Sequence, residues 1–295
     1  MSPDDLEARP TLTAAKPPRR LSWRAGAFGL ALAIGLTALF AWAVNVATHP
    51  EDEAWARLQA RGVLVVATDA SFPPFSAVDA DGALFGFDID LGDELGRRLG
   101  VRVEYENITY DALLSAVAAG RDDAVISAFV PQPERLKEVS FTRPYFVAGT
   151  LAVARLGDQP QSDDERDWQT WAAGRRLAVE FGAGGDVIAR RWARQGDGLT
   201  VLAQPTALEA LEALAAGQAE AALVDAVTAY EFLRTHPDLA PAGPPLDPEP
   251  YAIAVSARSR ELLQALERAL EAMQQDGTLA ALRVKWFGAA VESGQ

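Results

Sequence analysis

One pattern occurs twice in this chain, and it limits the fold more than any other feature. Residues 109–120 read TYDALLSAVAAG and lead into RDDAVIS; residues 206–217 read TALEALEALAAG and lead into QAEAALV. A single offset of 97 residues aligns both copies without a gap. Each copy offers a threonine to cap a helix, an apolar helical run, a glycine to stop it and a short apolar strand. Such a helix–strand unit needs a sheet to pack on, so two copies predict two α/β lobes of like design.

The segments around these copies fit the same plan. Val63 to Thr68 is a continuous apolar run, as expected of a strand covered on both faces. Phe72-Pro73-Pro74-Phe75 forbids a helix after it. Asp88 is placed to cap a helix in which Leu91, Leu95 and Leu99 recur every four residues and Gly100 is the stop. Pro241 to Pro250 holds five prolines and reads as a loop. Leu262, Leu266, Ala269, Leu270 and Met273 then share one helical face, and Gly277 separates that helix from a last one.

Composition removes several chemistries. With no cysteine there is no disulfide, thiol catalyst, thiolate metal site or lipidated cysteine, and two histidines make a histidine-rich metal site implausible. Five basic and three acidic residues in the first 24 leave the remainder at −16, against −14 for the whole chain. A body this acidic repels nucleic-acid phosphates, so no nucleic-acid partner is expected.

Residues 25–48 carry no charge and are long enough to span a bilayer core. A basic flank precedes them and an acidic one follows, which puts the long C-terminal part outside the cytoplasm. Two readings stay open, a retained signal anchor and a signal peptide cut after Ala41-Trp42-Ala43. The anchor is favoured, with residues 1–24 as a disordered basic cytoplasmic tail.

In open α/β folds ligands sit beyond the C-terminal ends of strands. That rule marks three places. Phe72 lies in the proline-rich loop after the first strand and is available to stack on a ligand, or simply to pack the loop. Arg135 follows the strand ending at Ser127 and offers a planar fork of donors for a carboxylate, unless it is an ordinary surface arginine. Gly182-Ala183-Gly184-Gly185 precedes a helix expected from about Asp186, and such glycines expose N–H groups that favour an anion. Asp225 closes the second repeated unit, as a ligand carboxylate or as the cap of the next helix. A zwitterion with a carboxylate and an ammonium would satisfy the anion receptors and this acid together.

Several stretches in order, LVVATDASFPPF, GFDIDLGDELGRRLG, YDALLSAVAAGRDDAVIS, PERLKEVSFTRPYF and DGTLAALRVKWFG, resemble the extracytoplasmic polar-amino-acid-binding proteins of ABC importers, family 3 of the solute-binding proteins. The likeness covers residues 60–288. It implies a two-lobed, periplasmic-binding-protein-like (type II) α/β fold with two crossover strands, here preceded by one transmembrane helix. Lobe one would be 60–148 plus 252–288, and lobe two 149–251. It also implies a monomer without cofactor that binds a free amino acid and delivers it to an ABC permease.

By position the resemblance assigns Arg135 to the ligand carboxylate, Asp225 to the ammonium, and Phe72 and Tyr110 to the side-chain sandwich. Asp69 matches a position that touches the side chain, and Glu180 one that faces it in some members. Ser127, Ala128, Val130 and Gly184 complete the expected ligand set. The family usually has a hydroxyl residue at Val130, Ser or Gly at Ala128, and Thr-Thr or Thr-Gly at Ala183-Gly184. Backbone N–H groups at Val130 and Gly184 remain to serve; each missing neutral hydrogen bond weakens binding by ~0.5–1.5 kcal/mol. Asp69 and Glu180 together favour arginine or lysine, because an unpaired buried carboxylate is costly. Two other uses of the fold compete: a cyclohexadienyl (arogenate or prephenate) dehydratase, with Glu180 as the acid, and a ligand-sensing domain.

Overall fold

The computed structural model describes residues 53–158, 165–195 and 198–293. The tail and apolar segment expected at 1–24 and 25–48 lie outside the described residues. Among the described residues, no helix is long and apolar enough to cross a membrane.

Helix α1 (Glu53–Arg61) leads into β1 (Val63–Thr68). A small sheet of β2 (Ser71–Phe72), β3 (Ser76–Val78) and β4 (Leu84–Phe85) follows, then α2 (Phe87–Leu99), β5 (Arg102–Asn107), α3 (Tyr110–Ala118), β6 (Ala124–Val125), a 3-10 turn at Pro133–Arg135 and β7 (Val139–Phe141). Next come β8 (Phe146–Arg155), α4 (Glu165–Ala172), β9 (Arg176–Glu180), α5 (Gly184–Ala193), β10 (Thr200–Gln204), α6 (Ala207–Ala215), β11 (Ala221–Asp225), α7 (Ala226–Leu233), β12 (Leu239–Pro241) and β13 (Asp247–Tyr251). Last among the described residues come β14 (Ala254–Ser256), α8 (Arg260–Gln275), α9 (Thr278–Phe287) and a 3-10 turn at Ala289–Ser293.

Two main sheets result, ordered β5-β1-β6-β14-β7 and β10-β9-β11-β8-β12, with β13 also paired to β8. The repeated units are α3–β6 in the first and α6–β11 in the second. Each helix buries the same four positions: Leu113, Leu114, Ala116 and Val117 in α3, and Ala210, Leu211, Ala213 and Leu214 in α6. Equal apolar spacing thus places each helix on its own sheet by one packing rule.

The chain passes between the sheets twice, and the two passages run side by side. Thr142 N–H donates to the Ile253 carbonyl at 2.9 Å, and Tyr145 N–H to the Tyr251 carbonyl at 2.9 Å. Under them lies an aromatic cluster: Phe146 packs on Phe287 at 4.6 Å, Phe75 at 5.1 Å and Tyr251 at 6.0 Å. Arg283, buried, donates twice to the Tyr145 carbonyl, at 2.7 and 3.2 Å.

Three expectations need correction. Residues 247–250, the end of the segment read as a loop, belong with Tyr251 to the strand β13, antiparallel to β8. Its Pro248 and Pro250 are tolerated because β13 has only β8 as partner and is therefore an edge. Asp88 does not cap α2: Gly86 holds the cap position, and Asp88 is buried in the first turn. Helix α5 starts at Gly184, two residues before Asp186.

Candidate ligand-binding site

The candidate residues stand at or just beyond the C-terminal ends of strands, in the loops that follow, or, for Tyr110 and Gly184, at the first position of the next helix. Asp69 follows β1. Its carboxylate accepts the Tyr110 N–H at 2.8 Å, and its own N–H donates to Ser127 Oγ at 2.9 Å. Asp69 thereby satisfies the start of α3, where the Thr109 side chain makes no capping bond. Tyr110 and Phe72 are 41 % and 46 % exposed. Tyr110 lies flat on Phe129 at 5.0 Å and 16°, and Phe72 on Phe75 at 5.5 Å and 10°. Each exposed ring thus stacks on a buried one, which fixes its orientation. Beside them an open depression of about 540 Å³ is lined by Asp69, Asn107, Ile108, Thr109 and Ala112.

The loop after β6 is held by a buried network. Ala128 has φ 45, a left-handed conformation that costs a non-glycine residue roughly 1 kcal/mol or more. Its N–H is committed to Asp88 at 2.7 Å and to Tyr145 Oη at 3.0 Å, and Tyr145 Oη donates to Asp88 at 2.9 Å. Burial pushes the Asp88 carboxyl up to about 7, against the pull of these donors. Val130 is half-buried; its N–H acts on the Tyr110 phenol, which burial raises. Arg135, a third exposed, is paired with Glu138 through Nε at 2.9 Å and a terminal nitrogen at 2.7 Å. A ligand carboxylate that uses Arg135 has Glu138 as its competitor.

In the second sheet β9 and β11 are parallel neighbours, so their C-terminal ends open at the same place. After β9, which ends at half-buried Glu180, Ala183 precedes α5 and provides no side-chain cap. Among the described residues the N–H groups of Gly184, Gly185 and Asp186 have no backbone acceptor. After β11, Asp225 is exposed and caps α7, accepting the Thr228 N–H at 2.8 Å through one oxygen. An acid and an open helix N-terminus therefore stand side by side.

Two residues escaped sequence reasoning. Glu249 lies near the end of the proline-rich segment and Tyr251 just after it, and both belong to β13. Burial raises the Tyr251 phenol, and the charges of Glu249 and Asp225 act in the same sense. Glu249 also raises Tyr110. Glu249 thus acts on Tyr110, at the start of α3, and on Tyr251, which Asp225 also reaches. Alternation of Asp247, Glu249 and Tyr251 between prolines was the available signal.

Comparison with known proteins decides the family. A sequence model of the bacterial extracellular solute-binding proteins, family 3, matches residues 64–289. The chain belongs to this family. It is 29% identical over 249 residues to the L-cystine-binding protein TcyJ of Escherichia coli K12, covering 84% of this chain and 91% of that one. It is 31% identical over 232 residues to the lysine/arginine/ornithine-binding periplasmic protein of the same organism, with 75% and 86% covered. Among solved structures, an ancestral cyclohexadienyl dehydratase superposes with a TM-score of 0.65 at 28% identity, over 78% of this chain and 95% of that one. The two-lobed periplasmic-binding-protein-like fold follows. In this family 3 protein the cleft groups described above combine rings, acids and backbone donors, a set suited to holding a small polar solute.

Proposed function

We propose that this family 3 protein captures a free amino acid outside the cytoplasm and presents it to an ABC permease. The adjacency of Asp225 and the open N-terminus of α5 carries the reading. In an α-amino acid the nitrogen and the carboxyl carbon are about 2.5 Å apart, so their receptors must be neighbours. Asp225 takes the ammonium. Arg135, released from Glu138, joins the α5 N–H groups on the carboxylate. Phe72 and Tyr110 hold the side chain, with Asp69, Ser127, Ala128, Val130, Glu180 and Gly184 around it.

The lobes are 60–148 with 252–288, and 149–251. Contacts to both drive closure about the paired passages. Asp69, Glu180 and Glu249 make the surroundings acidic and favour arginine or lysine; the similarity to a lysine/arginine/ornithine-binding protein supports this. The protein acts as a monomer without catalysis, and residues 25–48 anchor it with the tail 1–24 inside. The likeness to an ancestral dehydratase favours one other reading, in which Glu180 is a general acid.

A thermal-shift screen of the twenty amino acids tests the proposal, because a ligand that binds only the folded state raises its melting temperature. A basic amino acid is expected to give the largest rise. A flat response to all twenty, or turnover of arogenate or prephenate by the purified chain, would overturn it.

A further inference from the structure

We propose that Thr150, in the middle of β8, is a ligand-binding residue whose hydroxyl completes the carboxylate receptor at the start of α5. The inference deepens the amino-acid reading and rests on it. Thr150 is 6% exposed, yet among the described residues its hydroxyl has no hydrogen-bond partner. The residue is buried, but its hydroxyl is not among the buried polar atoms without a partner, so it keeps contact with solvent and is free to take a partner from outside the chain.

The hydroxyl's position says which partner. It lies 2.7 Å from where a Cβ on Gly184 would stand, so it fills the space that any side chain at the first position of α5 would need. Here the helix has no side-chain cap, and the N–H groups of Gly184, Gly185 and Asp186 have no backbone acceptor among the described residues. The neighbouring glycine has a different role: a Cβ on Gly185 would meet the Leu223 carbonyl at 2.0 Å, so Gly185 serves helix–strand packing. Gly184 instead leaves room for Thr150.

Thr150 also neighbours the other half of the receptor. In the ladder it stands directly opposite Asp225. Opposed residues put their side chains on one face about 5 Å apart. One hydroxyl therefore lies between the acid that would take an ammonium and the N–H groups that would take a carboxylate. As a donor it aligns with the latter and adds a hydrogen bond to a charged group.

Calorimetry on the full chain tests this. The twenty free amino acids are titrated, and the tightest is paired with its carboxamide. Thr150→Val keeps the shape and removes the donor, while Thr150→Ser keeps the donor. We expect Thr150→Val to weaken the amino acid about tenfold, Thr150→Ser to stay within about threefold of the parent, and the carboxamide, which can form only a neutral hydrogen bond with the hydroxyl, to lose less than the amino acid does. Equal binding of the amino acid by Thr150→Val and the parent overturns the role of Thr150 alone. So does an equal loss for both ligands together with a lowered melting temperature, which would mark a structural residue. Failure of the parent chain to bind any amino acid removes the underlying reading instead.

Discussion

Asp88 shows how far one buried side chain constrains its surroundings. Its carboxyl receives the Ala128 N–H and the Tyr145 hydroxyl, and it joins α2, the loop bearing Val130 and the passage between the sheets. Burial raises it from 3.8 to about 7, so the folded protein holds this proton where the unfolded chain has lost it. The contribution to stability is fully present below about pH 4, declines as pH rises and is gone above about pH 7. Denaturant midpoints of the parent should fall across that window relative to Asp88→Asn, by an energy on the order of 4 kcal/mol. Parallel curves for the two proteins would refute it. Nothing in the sequence placed Asp88 in the interior: it is the first acid of a GFDIDL run whose spacing equally suited a cap, and only the third dimension brings Tyr145 to it.

At the scale of elements, two helices that look alike in sequence start differently. The Thr206 hydroxyl accepts the Glu209 N–H at 3.2 Å and caps α6. Thr109 makes no such bond; its backbone carbonyl accepts the Ala112 N–H at 2.8 Å, and Asp69, just after β1, accepts the Tyr110 N–H. Thr206→Ala should therefore cost about 1 kcal/mol in urea unfolding, and Thr109→Ala less than about 0.5 kcal/mol. Equal costs would show that the capping geometry differs from the one described. The repeat was legible because helix periodicity and glycine stops are local signals, and α3 and α6 bury the positions that the offset matched. Strand β13 was not legible, since two prolines outweighed an alternation that only pairing with β8 makes meaningful. The acid and the glycines of the second sheet stood out at strand ends, whereas Thr150 in mid-strand carried no mark that distinguishes it from any β-branched strand residue.

The whole molecule divides the proposed grip between its two sheets. Arg135 belongs to the first and Asp225 to the second, while the passages between them are tied to each other at Thr142–Ile253 and Tyr145–Tyr251. A ligand held from both sides has most of its binding energy in contacts that exist only when the lobes meet, so losing either side should be severe. Asp225→Asn is informative because asparagine caps a helix as well as aspartate does, which leaves α7 intact and removes only the charge. The most direct measurement is calorimetric titration of the parent, Arg135→Ala and Asp225→Asn with the tightest amino acid. Each variant is expected to bind at least about thirtyfold more weakly while its melting temperature stays close to the parent's. Binding by either variant at the parent's affinity would contradict it.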